Sequence, residues 1–244
     1  MERLPSDSVH RHCDAARGVG LLSTGSGRRV VLLRHGRTQW NADGRFQGQL
    51  DPPLDATGQR QAHRAAETLA EATLMTETLA GARLSAIVTS DSRRAWSTAT
   101  ALGTVTGLPV AADPRLREMH LGGWQGLHRD EVARLFPAEY AAWTRGEDVR
   151  RGGGETYAEV GVRAGAAVRD ALTDVPTGGT LVAVTHGGTA RAALGSLLEL
   201  PPEHWWRLAP LGNARWSLLT EATGGWRLAA HNGGAASAPA AHCG

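Results

Sequence analysis

Three short apolar segments, each followed directly by polar residues, constrain the fold of this 244-residue chain more than any other feature. These segments are residues 30–33, 85–89 and 180–184. Their length and their Val, Ile and Leu content predict buried strands. Helical patterns alternate with the strands, and they cover residues 56–80, 92–105, 155–172 and a segment that ends at Leu198. The alternation predicts an α/β fold, a three-layer αβα sandwich with a mostly parallel central sheet.

The length of the chain and its 41% hydrophobic content suit a single domain with a full core. A hairpin-like pair of segments, residues 214–219 and 226–230, closes the predicted sheet. We therefore expect the folded domain to span residues 28–231. Residues 1–27 and 232–244 are expected to be flexible tails, because the first has no continuous apolar run and the second is rich in Gly, Ala and Ser.

Polar side chains follow each of the three strands at its carboxyl end, where an open parallel sheet holds its ligand. Arg34 and His35 follow the first strand, and His186 follows the third. A neutral imidazole nitrogen can attack phosphorus, and a neighbouring guanidinium can hold phosphoryl oxygens through paired N–H donors. An Arg-His pair at a strand end is, taken alone, more often structural, so the functional interpretation depends on the rest of the sequence.

Residues 32–41 (LLRHGRTQWN) resemble the signature of the histidine phosphatase superfamily, which includes the cofactor-dependent phosphoglycerate mutases. Further segments resemble the motifs of this family in the same order, and they are residues 44–49, 53–58, 89–99, 116–126, 153–156 and 184–188. The resemblance covers nearly the whole predicted domain. It implies a phosphoglycerate mutase-like fold and a phosphomonoesterase that works through a phosphohistidine.

The resemblance also assigns site residues. It makes His35 the nucleophile and Glu118 the proton donor to the leaving group. Arg34, Arg94 and His186 would surround the transferred phosphoryl group, whereas Arg93 suits a solvated helix start. The expected substrate-binding residues are Thr38, Asn41, Gln47 and Gly187, of which the first three could equally be turn-forming polar residues.

We expect no cofactor and no metal, because no His, Cys, Asp and Glu spacing typical of zinc or magnesium sites is visible. The formal net charge of +2 is too balanced to predict nucleic-acid or membrane binding. The expected partner is a small phosphorylated metabolite, and a homodimer stays open. The two cysteines, Cys13 and Cys243, suit a reducing compartment, and without a secretory pattern we expect a cytoplasmic protein.

Three functions remain to be compared: a phosphatase, a cofactor-dependent phosphoglycerate mutase, and a phospho-ligand binding module without catalysis. Mutases of this superfamily carry a substantial basic insertion after the loop that bears the acid, and here residues 143–146 are followed almost at once by residues 152–156. This favours hydrolysis. A phospho-ligand binding module without catalysis would be expected to lack His35 or His186, and both are present. Residues 116–127 and 211–216 most resemble actinobacterial glucosyl-3-phosphoglycerate phosphatases, although Gly123 stands where the family commonly has an acidic residue.

Overall fold

The computed structural model describes residues 27–75 and 83–234, and strands alternate with helices along them. The strands are β1 (Arg29–Arg34), β2 (Leu84–Thr89), β3 (Val110–Ala112), β4 (Thr180–Thr185), β5 (Trp216–Ala222) and β6 (Gly225–Gly233). The α-helices are α1 (Gln39–Asp43), α2 (Ala56–Met75), α3 (Arg93–Thr106), α4 (Arg129–Leu135), α5 (Pro137–Thr144), α6 (Tyr157–Ala171) and α7 (Gly187–Leu197). Short 3-10 turns occupy Pro114–Leu116, Gly122–Trp124, Arg151–Gly153 and Pro202–Arg207.

The strands form one six-stranded sheet in the order β3-β2-β4-β1-β5-β6. The first four are mutually parallel, and β5 and β6 add an antiparallel edge beside β1. β1 pairs with β4 from Arg29 opposite Thr180 to Arg34 opposite Thr185. Both strands therefore end side by side, and the residues that follow them enter the same space beyond the sheet.

Helices cover both faces of the sheet, which confirms the predicted three-layer architecture. Successive side chains of a strand point to opposite faces. Val31 and Leu33 accordingly pack with residues of α2 and α3, whereas Val30 and Leu32 pack with residues of α6 and α7. Because both faces are covered, the four central residues of β1 and of β4 are all apolar rather than alternating with polar ones.

A third apolar cluster lies beyond the carboxyl ends of the strands and supports the loops there. Trp124 is fully buried at its centre. Four aromatic rings pack around this indole, from Phe46, Phe136, Tyr140 and Trp143. The cluster joins α4 and α5 to the segment around Phe46, so it fixes one wall of the space at the end of β1.

The predicted strands and helices are found within a few residues of their expected bounds. The sequence did not predict β3, α1, α4 or α5, and β6 extends to Gly233 rather than ending at residue 230. Residues 76–80 of the helix predicted over residues 56–80 lie outside the described residues, as do residues 1–26 and 235–244 of the predicted tails. None of the described helices combines the length and apolarity needed to cross a membrane.

Candidate active site

The register of β1 and β4 brings two histidines together. His35 follows Arg34, His186 follows Thr185, and these two preceding residues are partners in the sheet. The imidazole centroids lie 5.1 Å apart with an edge-on arrangement. Both rings are buried, with only 2% of His35 exposed. Residues 151 positions apart in the sequence therefore form one paired site, as expected for the carboxyl edge of a parallel sheet.

A hydrogen bond fixes the tautomer of His35. Nδ1 lies 2.6 Å from the carbonyl oxygen of Gly36. A carbonyl oxygen can only accept, so the ring proton resides on Nδ1 and Nε2 keeps its lone pair. Burial, followed by the positive charges of Arg94 and Arg34, holds the pKa of His35 well below its ordinary value of 6.5. The ring is thus neutral near pH 7, and Nε2 is a competent nucleophile.

Gly36 is required here by a close approach of two backbone segments. A Cβ at this position would lie 2.3 Å from the carbonyl oxygen of Gly58, and a Cβ on Gly58 would lie 1.9 Å from the carbonyl oxygen of Arg37. The φ of Gly36 is not positive, so no left-handed turn requires a glycine here. Close packing against the start of α2, rather than a left-handed backbone, therefore explains this glycine and sets the direction of His35.

Two arginines adjoin His35, and each has one buried N–H without a partner. Arg94 is 1% exposed, and its terminal nitrogens donate to the carbonyl oxygens of Leu50 and Gly48 at 2.7 Å. Arg34 donates through Nη1 to the carbonyl oxygen of Leu211 at 2.6 Å. The Nε atoms of both find no acceptor among the described residues. Buried donors are normally satisfied, so these two N–H groups beside His35 are available to bind an anion.

Burial lowers the pKa of both guanidinium groups, and the side chain of an arginine still keeps its charge. Opposite charge is sparse here: Asp51 lies 3.6 Å from Arg94, and the Glu118 carboxylate interacts with both arginines. The site is therefore a cationic cradle in a low-dielectric setting, which strengthens its attraction for an anion.

His186 supplies a third unsatisfied nitrogen. Its Nε2 lies 2.9 Å from the hydroxyl of Ser90 and 3.2 Å from that of Ser92. When a serine hydroxyl donates to Nε2, the ring proton is on Nδ1, which is buried and has no partner in the described part of the chain. Burial and the charge of Arg94 hold the pKa of His186 well below 6.5. The neutral ring can thus donate one N–H to an anion.

Glu118 lies at the amino end of α7. Its two carboxyl oxygens accept hydrogen bonds from the backbone N–H groups of Met119, Gly188 and Thr189 and from the hydroxyl of Thr189. These donors fix the position of the carboxyl group relative to the start of α7. The loop that carries it is held from behind by Arg163, which donates to the carbonyl oxygens of residues 115, 117 and 118 and pairs with Glu155.

A cavity of about 170 Å³ joins these groups. The described residues on its wall are Arg34, His35, Asn41, Arg45, Phe46, Gln47, Gly48, Arg94, Glu118, Met119, Leu121 and Arg151. Six of the nine residues expected from the sequence are therefore on the wall. His186 lies beside the ring of His35. Gly187 packs on the guanidinium of Arg34, where a Cβ would meet Cζ at 3.5 Å.

Thr38 does not line this cavity. It is fully buried, caps the amino end of α1, and its hydroxyl lies 3.0 Å from Gln47 Oε1 and 3.1 Å from Asn41 Oδ1. Thr38 therefore orients two wall residues rather than facing the cavity itself.

Sequence reasoning missed Arg45, Arg151, Ser90 and Asn213. Arg45 and Ser90 stand inside motifs that were recognised, and Arg151 directly precedes the glycine run at residues 152–154. Asn213 Nδ2 lies 3.3 Å from the His35 carbonyl oxygen and 3.1 Å from Asn41 Oδ1. Its place in the noted segment 211–216 was the available signal, but only the antiparallel β1–β5 pairing brings it to His35.

A larger cavity, of about 440 Å³, lies between α2 and α3. His63 is the one titratable group among the described residues that line it, and no arginine is present there. Size alone favours this cavity, but the convergent charges and perturbed histidines favour the smaller one as the place of chemistry.

The described chain matches the model of one protein family, the histidine phosphatase superfamily (branch 1), over residues 30–233. A glucosyl-3-phosphoglycerate phosphatase from Mycolicibacterium vanbaalenii is 41% identical over 198 residues, covering 79% of this chain and 84% of that protein. A protein from Yersinia enterocolitica named probable phosphoglycerate mutase is 37% identical over 177 residues, covering 71% and 76%.

A solved structure agrees with the match to the histidine phosphatase superfamily. Mycobacterial glucosyl-3-phosphoglycerate phosphatase in complex with VO3 superposes with a TM-score of 0.76 at 39% identity. The match covers 84% of this chain and 98% of that one.

Proposed function

Because this chain belongs to the histidine phosphatase superfamily and is a phosphatase, we propose that it hydrolyses glucosyl-3-phosphoglycerate through a phosphohistidine on His35. One observation carries the proposal. The hydrogen bond from His35 Nδ1 to the Gly36 carbonyl leaves Nε2 as an unprotonated nucleophile inside a cavity walled by arginines. The substrate follows from the relatives, since two glucosyl-3-phosphoglycerate phosphatases are 39–41% identical over most of the chain.

In the first step, His35 Nε2 attacks phosphorus in line with the ester oxygen. The N–P bond forms as the P–O bond to the alcohol breaks, and the alcohol oxygen takes a proton from Glu118. The unpartnered N–H groups of Arg34, Arg94 and His186 are the proposed donors to the equatorial phosphoryl oxygens. They are preorganised by carbonyl and serine contacts, so little reorganisation is needed as negative charge builds up.

Glu118 delivers the proton in this step, and its four hydrogen-bond donors hold the carboxyl group in place at the start of α7. In the second step the resulting carboxylate takes a proton from water, which attacks phosphorus and breaks the N–P bond. Inorganic phosphate leaves and His35 is restored.

The proposed chemistry uses no metal. Among the described residues, no group of three or more His, Cys, Asp and Glu side chains is placed to hold one. We therefore expect hydrolysis of para-nitrophenyl phosphate to continue at an unchanged rate in excess EDTA. A rate that collapses in EDTA and recovers with a divalent cation would overturn this part of the proposal.

The substrate assignment is tested by a panel of phosphate esters assayed for released phosphate. We expect glucosyl-3-phosphoglycerate to have the highest kcat/KM, at least about tenfold above 3-phosphoglycerate, a gap of roughly 1.4 kcal/mol in transition-state binding. A mutase is the second candidate, because one relative at 37% identity bears that name. Conversion of 3-phosphoglycerate to 2-phosphoglycerate faster than phosphate release would favour the mutase and contradict the phosphatase.

The low pKa of His35 predicts the acid side of the pH profile. Protonation of Nε2 removes the nucleophile, and the depressed pKa means that this occurs only well below pH 6.5. The substrate itself titrates, because the second ionisation of a phosphate monoester has a pKa of about 6. After correction for that ionisation, we expect kcat/KM to stay constant from neutral pH to well below pH 6.5. A loss centred near pH 6.5 that belongs to the free enzyme would contradict the neutral, buried histidine.

A cytoplasmic location is part of the proposal. Cys13 and Cys243 stand near opposite ends of the sequence, a usage that suits a reducing compartment rather than a disulfide framework. Fractionation of the producing cells checks it directly.

A further inference from the structure

Arg151 is a buried cation that has no carboxylate partner among the residues the structure describes. Its side chain lies on the wall of the active-site cavity, and the residue is 5% exposed. No carboxylate of the described residues forms an ion pair with it. A buried charge without a partner is costly, so such a group is normally retained for a ligand or satisfied by hydrogen bonds.

The contacts that Arg151 does make are weak ones. Its guanidinium lies 4.6 Å from the ring centroid of Tyr157, and one terminal nitrogen contacts the sulfur of Met119. A thioether is a weak acceptor, and a cation–π contact adds about 1 kcal/mol or somewhat more. The neighbouring Arg150, by contrast, is solvent-exposed and already paired with Glu159.

Arg151 lies next to the segment that carries the proposed proton donor, so it is placed to meet the leaving group rather than the phosphoryl group. It contacts Met119, the residue directly after Glu118, which is the proposed proton donor to the leaving alcohol. The phosphoryl cradle of Arg34, Arg94 and His186 is built from other segments. An anion that meets Arg151 would therefore belong to the alcohol half of the ester.

We propose that Arg151 binds a carboxylate on the alcohol half of the substrate and so makes the enzyme selective for phosphorylated hydroxy acids. The inference rests on the proposed function and deepens it. A planar guanidinium matches a carboxylate through two parallel N–H donors, a geometry that neither a hydroxyl nor an ester can reproduce. Arg151 would be a specificity residue, since the bond that breaks lies elsewhere.

Arg45 is the competing candidate on the same wall. Its Nη1 donates to the carbonyl oxygen of Gly126 at 2.8 Å, and the residue is only half-buried. A partly hydrated guanidinium with a backbone acceptor has less need of a ligand than a buried one. The experiment therefore includes both arginines.

The test compares 3-phosphoglycerate with its methyl ester, which keeps the phosphate and neutralises the carboxylate. For the wild-type enzyme we expect kcat/KM to be at least tenfold higher for the acid. In Arg151→Met we expect this preference to disappear, because kcat/KM for the acid falls, mainly through KM, by the same factor of tenfold or more while the value for the methyl ester stays nearly unchanged. Arg151→Lys should recover part of it. Arg150→Met, one residue away and paired outside the cavity, should keep the wild-type ratio.

Hydrolysis of para-nitrophenyl phosphate, which has no carboxylate, monitors folding and chemistry in each variant. Equal losses of kcat/KM on all three substrates in Arg151→Met would mean a structural role and overturn the inference. The inference would also be wrong if Arg45→Met, rather than Arg151→Met, changed the ratio of kcat/KM between the acid and its methyl ester. The wild-type comparison needs no variant: an active enzyme that treats acid and ester alike overturns the inference but leaves the phosphatase proposal intact. A wild-type enzyme inactive on every ester would remove the proposed function itself.

Discussion

Replacement of His35 by alanine is expected to lower kcat by about 10⁴-fold or more on every phosphate ester, good and poor leaving groups alike. The reason is that Nε2 of this ring is the atom to which phosphorus is transferred, and no described neighbour can take its place. His186 lies 5.1 Å away between ring centroids, but its Nε2 is engaged by Ser90 and Ser92. Steady-state phosphate release with an aryl and an alkyl ester measures the effect.

His63→Ala is the matched control. This histidine lies on the exposed side of α2 and lines only the other cavity, so its loss should leave kcat unchanged. A His35→Ala enzyme that keeps more than a few per cent of wild-type activity would show that hydrolysis proceeds without the nucleophile. Water would then be the direct attacking group, and the two-step account would be wrong.

Replacement of Glu118 by glutamine is expected to slow alkyl esters by about 10² to 10⁴-fold and para-nitrophenyl phosphate far less. An alkoxide is a poor leaving group and needs a proton as it departs, whereas a nitrophenolate leaves readily without one. The amide keeps the size of the side chain, and one oxygen remains to accept from the backbone at the start of α7. The measurement is kcat/KM for a series of esters against the pKa of their alcohols.

The slope of that series is the decisive quantity. The variant should depend more steeply on leaving-group pKa than the wild type, and Glu203→Gln, an exposed carboxylate outside the cavity wall, should follow the wild-type line. Parallel lines for wild type and Glu118→Gln would assign Glu118 to positioning rather than to proton transfer.

Most of the architecture was predictable because its signals are local. The apolar runs of β1 and β4 show that both faces of the sheet are covered, and the polar residues after them mark its carboxyl edge. The motifs of the histidine phosphatase superfamily extended this to named positions, and five residues that they predict besides the nucleophile line the cavity: Arg34, Asn41, Gln47, Arg94 and Glu118.

The remaining features depend on contacts between distant segments. The sequence predicted that Thr38 contacts the ligand. In the structure a single antiparallel β-bridge between Thr38 and Leu54 helps to hold Thr38 behind the residues that line the cavity. The charge of Arg151 is visible in the sequence, while its burial arises only from its packing against Met119 and Tyr157. The three-residue strand β3 is too short to give a periodic signal of its own.

The central claim is that phosphorus is bonded to Nε2 of His35 during each turnover. The most direct test is to mix the enzyme with a ³²P-labelled ester, quench the reaction rapidly in base and locate the label among the peptides. A phosphohistidine is stable in base and is lost in acid. The account predicts label on the peptide that contains His35 within the first turnover, lost on brief acid treatment and absent from His35→Ala. Active enzyme that never carries label there, or that carries it on His186, would contradict it.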